Sequence, residues 1–116
     1  MAIEIRAVAR YIGMPSSKVK LVVDMVRGKG VREALTLLKF STKAAARPVA
    51  KVISSAAANA ADGFGLTVSD LYVAQIFADE APTLKRGRFG ARGRFKPILK
   101  RASHITVVLN SLERAA

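Results

Sequence analysis

Apolar and polar residues alternate at the start of the chain, with Ile3, Ile5, Ala7 and Ala9 interleaved among Glu4, Arg6, Val8 and Arg10. A period of two predicts a strand over residues 3 to 11 with one partly polar face. Gly13 and Pro15 end it. The period then lengthens. Val19, Val22, Val23 and Val26 recur at helical spacing, with Lys18, Lys20, Asp24 and Arg27 off the stripe. This predicts an amphipathic helix over 17 to 27, capped by the hydroxyl of Ser16 or Ser17. Gly28-Lys29-Gly30 is a stop and restart. A shorter helix follows over 31 to 39, with Val31, Leu35 and Leu38 on its stripe, Ala34 beside them, and Glu33 in the dipole-favoured first turn.

A third helix, with Thr42 as candidate cap, extends to about Ala61. Proline in a helix interior costs about 3 kcal/mol. The regular part is therefore expected to begin near Arg47, with Pro48 in its first turn. From Val49 to Ala61 the residues are small or apolar on nearly every side, which predicts a buried central helix. Asp62-Gly63 and Gly65 end it. Leu71 to Glu80 and His104 to Leu109 are rich in β-branched and aromatic residues and read as strands. The expectation is one α+β domain: three helices packed on a small antiparallel sheet, with a long protruding β-hairpin. The body would comprise residues 1 to 80 and 102 to 116, and the arm about 81 to 101.

Charge gives that arm its meaning. The chain has 116 residues and a net charge of +12. Residues 1 to 51 hold 11 basic and 3 acidic side chains, residues 52 to 84 hold 4 acidic and no basic ones, and residues 85 to 101 hold 8 basic and no acidic ones. Two basic blocks thus flank a neutral-to-acidic middle. Such a balance points to nucleic acid first and an anionic membrane second. Within the arm, Lys85, Arg86, Arg88, Arg92, Arg94, Lys96, Lys100 and Arg101 are interleaved with Gly87, Gly90 and Gly93 and with Phe89 and Phe95. Arginine makes flat multidentate contacts to phosphate and stacks on bases, and Phe stacks on bases or lines a wall. The plain alternative is a flexible, solvated Arg-Gly loop. No apolar stripe is evident between residues 85 and 96, and an isolated two-stranded ribbon is marginal in water, so order in the arm is expected only when a partner encloses it. At about 3.3 Å per residue, a ten-residue extension would reach roughly 30 Å.

Other chemistry is excluded or weak. The chain has no cysteine, which removes disulfides, thiolate catalysis and Cys-based zinc sites. No run approaches the length of a membrane-spanning helix, and the opening segment lacks a secretory h-region. The first helix has no bulky aromatic for membrane insertion. His104 is the only histidine; its adjacency to Ser103 does not make a dyad, and a structural or RNA-contact role is expected. Asp79 and Glu80 face opposite sides of a strand, which suits cross-ribbon pairing with Lys85, Lys100 or Arg101 better than joint acid–base work. There is no phosphate loop, dinucleotide fingerprint or metal-ligand spacing. No catalytic residue, metal, cofactor or small-molecule substrate is expected. Lys18, Lys20, Arg27 and Lys29 are either a solvated helix face or a body contact to nucleic acid.

Three segments carry a resemblance. Lys18-Val-Lys-Leu-Val-Val-Asp-Met-Val-Arg27-Gly-Lys29, Ser55-Ala-Ala-Ala-Asn59-Ala60 and Ile98-Leu-Lys-Arg-Ala-Ser-His104-Ile-Thr-Val-Val108 are similar to the patterns K-x-R-L-V-x-D-x-I-R-G-K, S-A-x-A-N-A and I-L-K-R-x-S-H-I-T-V-V. Together they resemble the bacterial-type large-subunit ribosomal protein family number twenty-two. The resemblance implies a non-catalytic protein that binds large-subunit rRNA, takes part in early assembly, touches neighbouring ribosomal proteins, and lines the nascent-peptide exit tunnel with its hairpin tip. It implies a cytoplasmic ribosome, or an organellar one. By position, Lys18, Lys20, Arg27 and Lys29 would be body contacts. Lys85, Arg86, Arg88, Arg92, Arg94, Lys96, Lys100 and Arg101 would be arm contacts, and His104 a further RNA contact beyond the arm. Arg88, Phe89, Gly90, Ala91 and Arg92 would form the tip. The family tip reads roughly R-x-x-P-R-A-x-G-R-A; here Phe89 replaces the usual proline, Gly90 an arginine and Phe95 an alanine. A DNA-bending protein with basic β-arms and an RNA-modifying enzyme are the alternatives.

Overall fold

A computed structural model describes residues 4–111; Ile3, at the start of the expected first strand, lies outside them. The described residues form β1 (Glu4–Ile12), α1 (Ser16–Val26), α2 (Val31–Lys39), α3 (Ala46–Phe64), β2 (Leu71–Phe89) and β3 (Phe95–Ser111), with a 3₁₀ turn at Val68–Asp70. The sheet order is β1-β3-β2, antiparallel throughout. This is the expected α+β architecture. The helices cover one face of the sheet, and β2 and β3 run on past the body as one long hairpin.

The core follows the predicted periodicities. Val19, Val22, Val23 and Val26 of α1 are all fully buried, each worth about 1.5–3 kcal/mol in transfer free energy before entropy is counted. They meet Ile5 and Ala7 of β1, Val73 and Ile76 of β2, and Ile105, Val107 and Leu109 of β3 in one apolar cluster. On α2 the buried residues are Val31, Ala34 and Leu38, while Leu35 is only half-buried.

The ends of elements differ from expectation. Pro15, not a serine hydroxyl, precedes α1: its carbonyl accepts from Lys18 N (3.1 Å) and Val19 N (3.3 Å), and no side chain caps the helix. Thr42 does not cap α3 either. A turn over residues 43–45 intervenes, and Ala45 leads into the helix at Ala46. Pro48 is then the third helical residue, where a missing N–H leaves no intrahelical bond unmade. At its far end α3 continues through Asp62 and Gly63 to Phe64, and Gly65 stops it in the left-handed conformation (φ 65°). Gly65 N and Leu66 N then bond to the carbonyls of Ala61 (3.1 Å) and Ala60 (3.3 Å).

Nor is α3 buried all round. Val49, Val52, Ile53, Ala56, Ala57 and Ala60 face the core, whereas Ser54, Ser55, Ala58 and Asn59 are exposed. Alanine is compatible with either surface, so its abundance hid a two-sided helix.

The Gly28–Gly30 link also has a sheet function. Gly28 N bonds to the Val73 carbonyl and Val73 N to the Lys29 carbonyl, both at 2.9 Å. The link thereby covers part of the β2 edge, which would otherwise offer unpaired backbone groups.

Candidate nucleic-acid interface

Burial in β2 ends at Ala81; from residue 82 to Phe89 every residue is exposed. The ladder continues regardless, through Leu84↔Lys100, Lys85↔Leu99, Arg86↔Ile98, Gly87↔Pro97, Arg88↔Lys96 and Phe89↔Phe95. A register shift between Ala81 and Leu84 marks the start of this free-standing part, at Pro82, which has no N–H to donate.

The register sorts the arm into two faces, because opposed residues share a face and neighbours along a strand alternate. One face presents Arg86, Arg88, Lys96 and Lys100, with Leu84 and Ile98 between them. The other presents Phe89, Phe95, Pro97 and Leu99, with Lys85 the cation among them. The expectation that the arm lacks an apolar stripe is therefore corrected. The stripe is invisible along the sequence because it is assembled across the two strands. Phe89 is 81% exposed and Phe95 66%, so the apolar face is bare in the isolated chain. Gly87 belongs to it: the Phe95 ring occupies the space a Cβ would take, an aromatic covering a cross-strand glycine.

The tip is a tight turn. Gly90 N bonds to the Arg94 carbonyl, and Arg92 (φ 58°) and Gly93 (φ 70°) both adopt the left-handed conformation. Arg92 and Arg94 project from this turn rather than from the flat of the ribbon.

Among the described residues, no carboxylate lies within ion-pair distance of any Lys or Arg between 85 and 101. The expected pairing of Asp79 and Glu80 with Lys85, Lys100 or Arg101 is absent, because Asp79 lies opposite His104 and Glu80 opposite Ser103.

The body candidates separate into two kinds. Lys18 and Lys20 are exposed on α1. Arg27 is tied into the fold: Nη1 donates to Asp24 Oδ1 (2.7 Å) and Nη2 to the Ile76 carbonyl (2.9 Å), bridging α1 to β2. Lys29 lies 3.9 Å from Glu33. His104 is likewise committed. Its Nδ1 accepts from the backbone N–H of Tyr11 (3.1 Å), and its ring meets that of Tyr11 edge-on at 4.9 Å. Tyr11 has φ 57° at an irregularity in β1, so His104 supplies the partner that a regular ladder would have given. Beside it, buried Ser103 donates to the Met14 carbonyl at 3.0 Å.

Among the described residues no cluster of His, Cys, Asp or Glu could hold a metal ion, and no helix is long and apolar enough to cross a membrane. What the geometry defines is a class: a small α+β protein bearing a long cationic ribbon whose charges have no carboxylate partner among the described residues. A family model described as ribosomal protein L22p/L17e matches residues 7–110. The chain is 56% identical over 106 residues to large ribosomal subunit protein uL22 of Dehalococcoides mccartyi, covering 91% of this chain and 97% of that one. It is 49% identical over 112 residues to uL22 of Clostridium novyi, covering 97% and 99%. The chain belongs to this ribosomal protein family, and it is a structural protein, not an enzyme. That membership sets aside the DNA-bending and RNA-modifying alternatives.

Proposed function

We propose that the chain is built into the large ribosomal subunit by its arm, which binds large-subunit rRNA through the face formed by Arg86, Arg88, Lys96 and Lys100. The observation that carries this is their lack of any carboxylate partner among the described residues. Four exposed cations on one side of a narrow ribbon repel one another unless a polyanion neutralises them. Lys85, Arg92, Arg94 and Arg101 add contacts at the edges, turn and base. Of the body candidates, Lys18, Lys20 and Lys29 supply further contacts; Arg27 and His104 act chiefly by holding the surface in shape.

The opposite face has different chemistry. Phe89, with Gly90, Ala91 and Arg92 at the turn, is the part of the arm farthest along the ribbon. Its aromatic, weakly charged surface suits a wall along which a nascent peptide passes, with Arg88 at its margin. Family membership supports this tunnel-lining reading, and early engagement of rRNA during assembly follows from the same charge.

Binding of the full chain to a large-subunit rRNA transcript tests the proposal. Replacing Arg86, Arg88, Lys96 and Lys100 by Gln removes the cationic face without touching the core. The log–log salt slope is expected to fall by about 3, at roughly 0.7–0.9 per phosphate contact. An unchanged slope and affinity would refute the assignment.

A further inference from the structure

The proposed function gives the apolar face of the arm a role only inside a subunit. In the free chain that face is bare. Phe89 and Phe95 stand directly opposite each other at the far end of the ladder, and Pro97 and Leu99 continue the same side towards the body. All four are exposed. The ribbon is therefore amphipathic across its thickness. One side presents Arg86, Arg88, Lys96 and Lys100; the other presents hydrocarbon with the single cation Lys85, and neither side holds an acid. A chain of phosphates satisfies the first side only. A surface that offers phosphates and hydrocarbon in adjacent layers satisfies both, and an anionic lipid bilayer is such a surface.

We propose that the free chain binds anionic lipid bilayers through its arm, with Phe89, Phe95, Pro97 and Leu99 in the boundary between headgroups and acyl chains and the arm cations on lipid phosphates. The ribbon lies in this layer and does not cross it. An open two-stranded ladder has outward backbone groups that hydrocarbon cannot satisfy, and its free stretch from Lys85 to Phe89 is well short of the roughly 9–11 residues a spanning strand needs. The two Phe rings are at the end of the ladder farthest from the body, so the body does not hold them off a flat surface. Arg86, Arg88, Lys96 and Lys100 lie on the far side of a ribbon about 10 Å through. They stay within about one Debye length of the lipid phosphates. Lys85, through its long apolar stem, and Arg92 and Arg94 at the turn are placed to meet the headgroups. The inference goes beyond rRNA binding and does not rest on it. The two partners compete, since both draw on the same cations, and the bilayer holds the chain only while the arm is outside a subunit.

Sedimentation of the full chain with vesicles tests this, using phosphatidylglycerol mixed with phosphatidylcholine, beside phosphatidylcholine alone. The chain is expected to sediment with the mixed vesicles, to bind them less as salt rises, and to be displaced by a large-subunit rRNA transcript. Phe95→Ser combined with Leu99→Ser keeps every charge and alters only exposed positions of the arm, so the unfolding midpoint is expected to match that of the parent chain. Partition of this variant onto the mixed vesicles is expected to fall about tenfold, with its rRNA affinity unchanged. If the variant sediments as the parent does, adhesion is purely electrostatic and the apolar face is not a lipid site. If it loses rRNA affinity and keeps its partition onto vesicles, the apolar face contacts RNA and the lipid assignment is overturned. If the parent chain leaves the mixed vesicles unbound while binding rRNA, the proposal fails and the rRNA reading stands.

Discussion

Gly63 and Gly65 look alike in sequence and behave differently at the end of α3. Gly65 has φ 65°, where a Cβ is strained, while Gly63 lies inside the helix with open space beside it. Gly65→Ala is expected to destabilise the protein by about 1 kcal/mol, and Gly63→Ala to stabilise it by up to about 1 kcal/mol. Urea unfolding midpoints check both, and shifts of the same sign would contradict the assignment. Arg27 gives a second case. Its exposed pairing with Asp24 is worth little, but its bond to the Ile76 carbonyl satisfies a partly buried acceptor. Arg27→Met should cost about 1.5–3 kcal/mol, and Asp24→Ala less than about 1 kcal/mol, in the same assay. Equal losses would place the contribution in the ion pair. The sequence marked Arg27 as polar and off the valine stripe, which is correct. That it reaches a carbonyl 49 residues away depends on tertiary placement that no local pattern encodes.

At the scale of elements, α1 was readable because four valines at helical spacing admit one solution, and all four are buried. The helix α3 was less so, since alanine fits both the core and the solvent face. Its buried alanines have a consequence: Ala60, fully buried, lets the helix lie close to its neighbours. Ala60→Leu is expected to destabilise by about 1–3 kcal/mol through overpacking, whereas Ala58→Leu, on the exposed side, is expected to be nearly neutral. Comparable losses in thermal unfolding would mean that both sides are enclosed. The arm divides the same way. Its charge and its position between two strands were plain in the residue order. Its two faces were not, because Phe89 joins Phe95, and Gly87 joins Pro97, only through the register of the hairpin.

Considered whole, the molecule is elongated, 71 × 25 × 18 Å, with a radius of gyration of 17.5 Å; a compact domain of this length would have about 13 Å. The excess is the arm, which contributes exposed surface and charge and almost nothing to the core. The arm's exposure and charge imply that its order depends on the polyanion around it. Amide hydrogen exchange on the full chain, free and bound to large-subunit rRNA, tests this most directly. Residues 84 to 100 are expected to exchange rapidly in the free chain and slowly in the complex, while the amides of α1 and the body part of β3 remain slow in both. Arm amides equally slow in both states, or equally fast in both, would contradict the account.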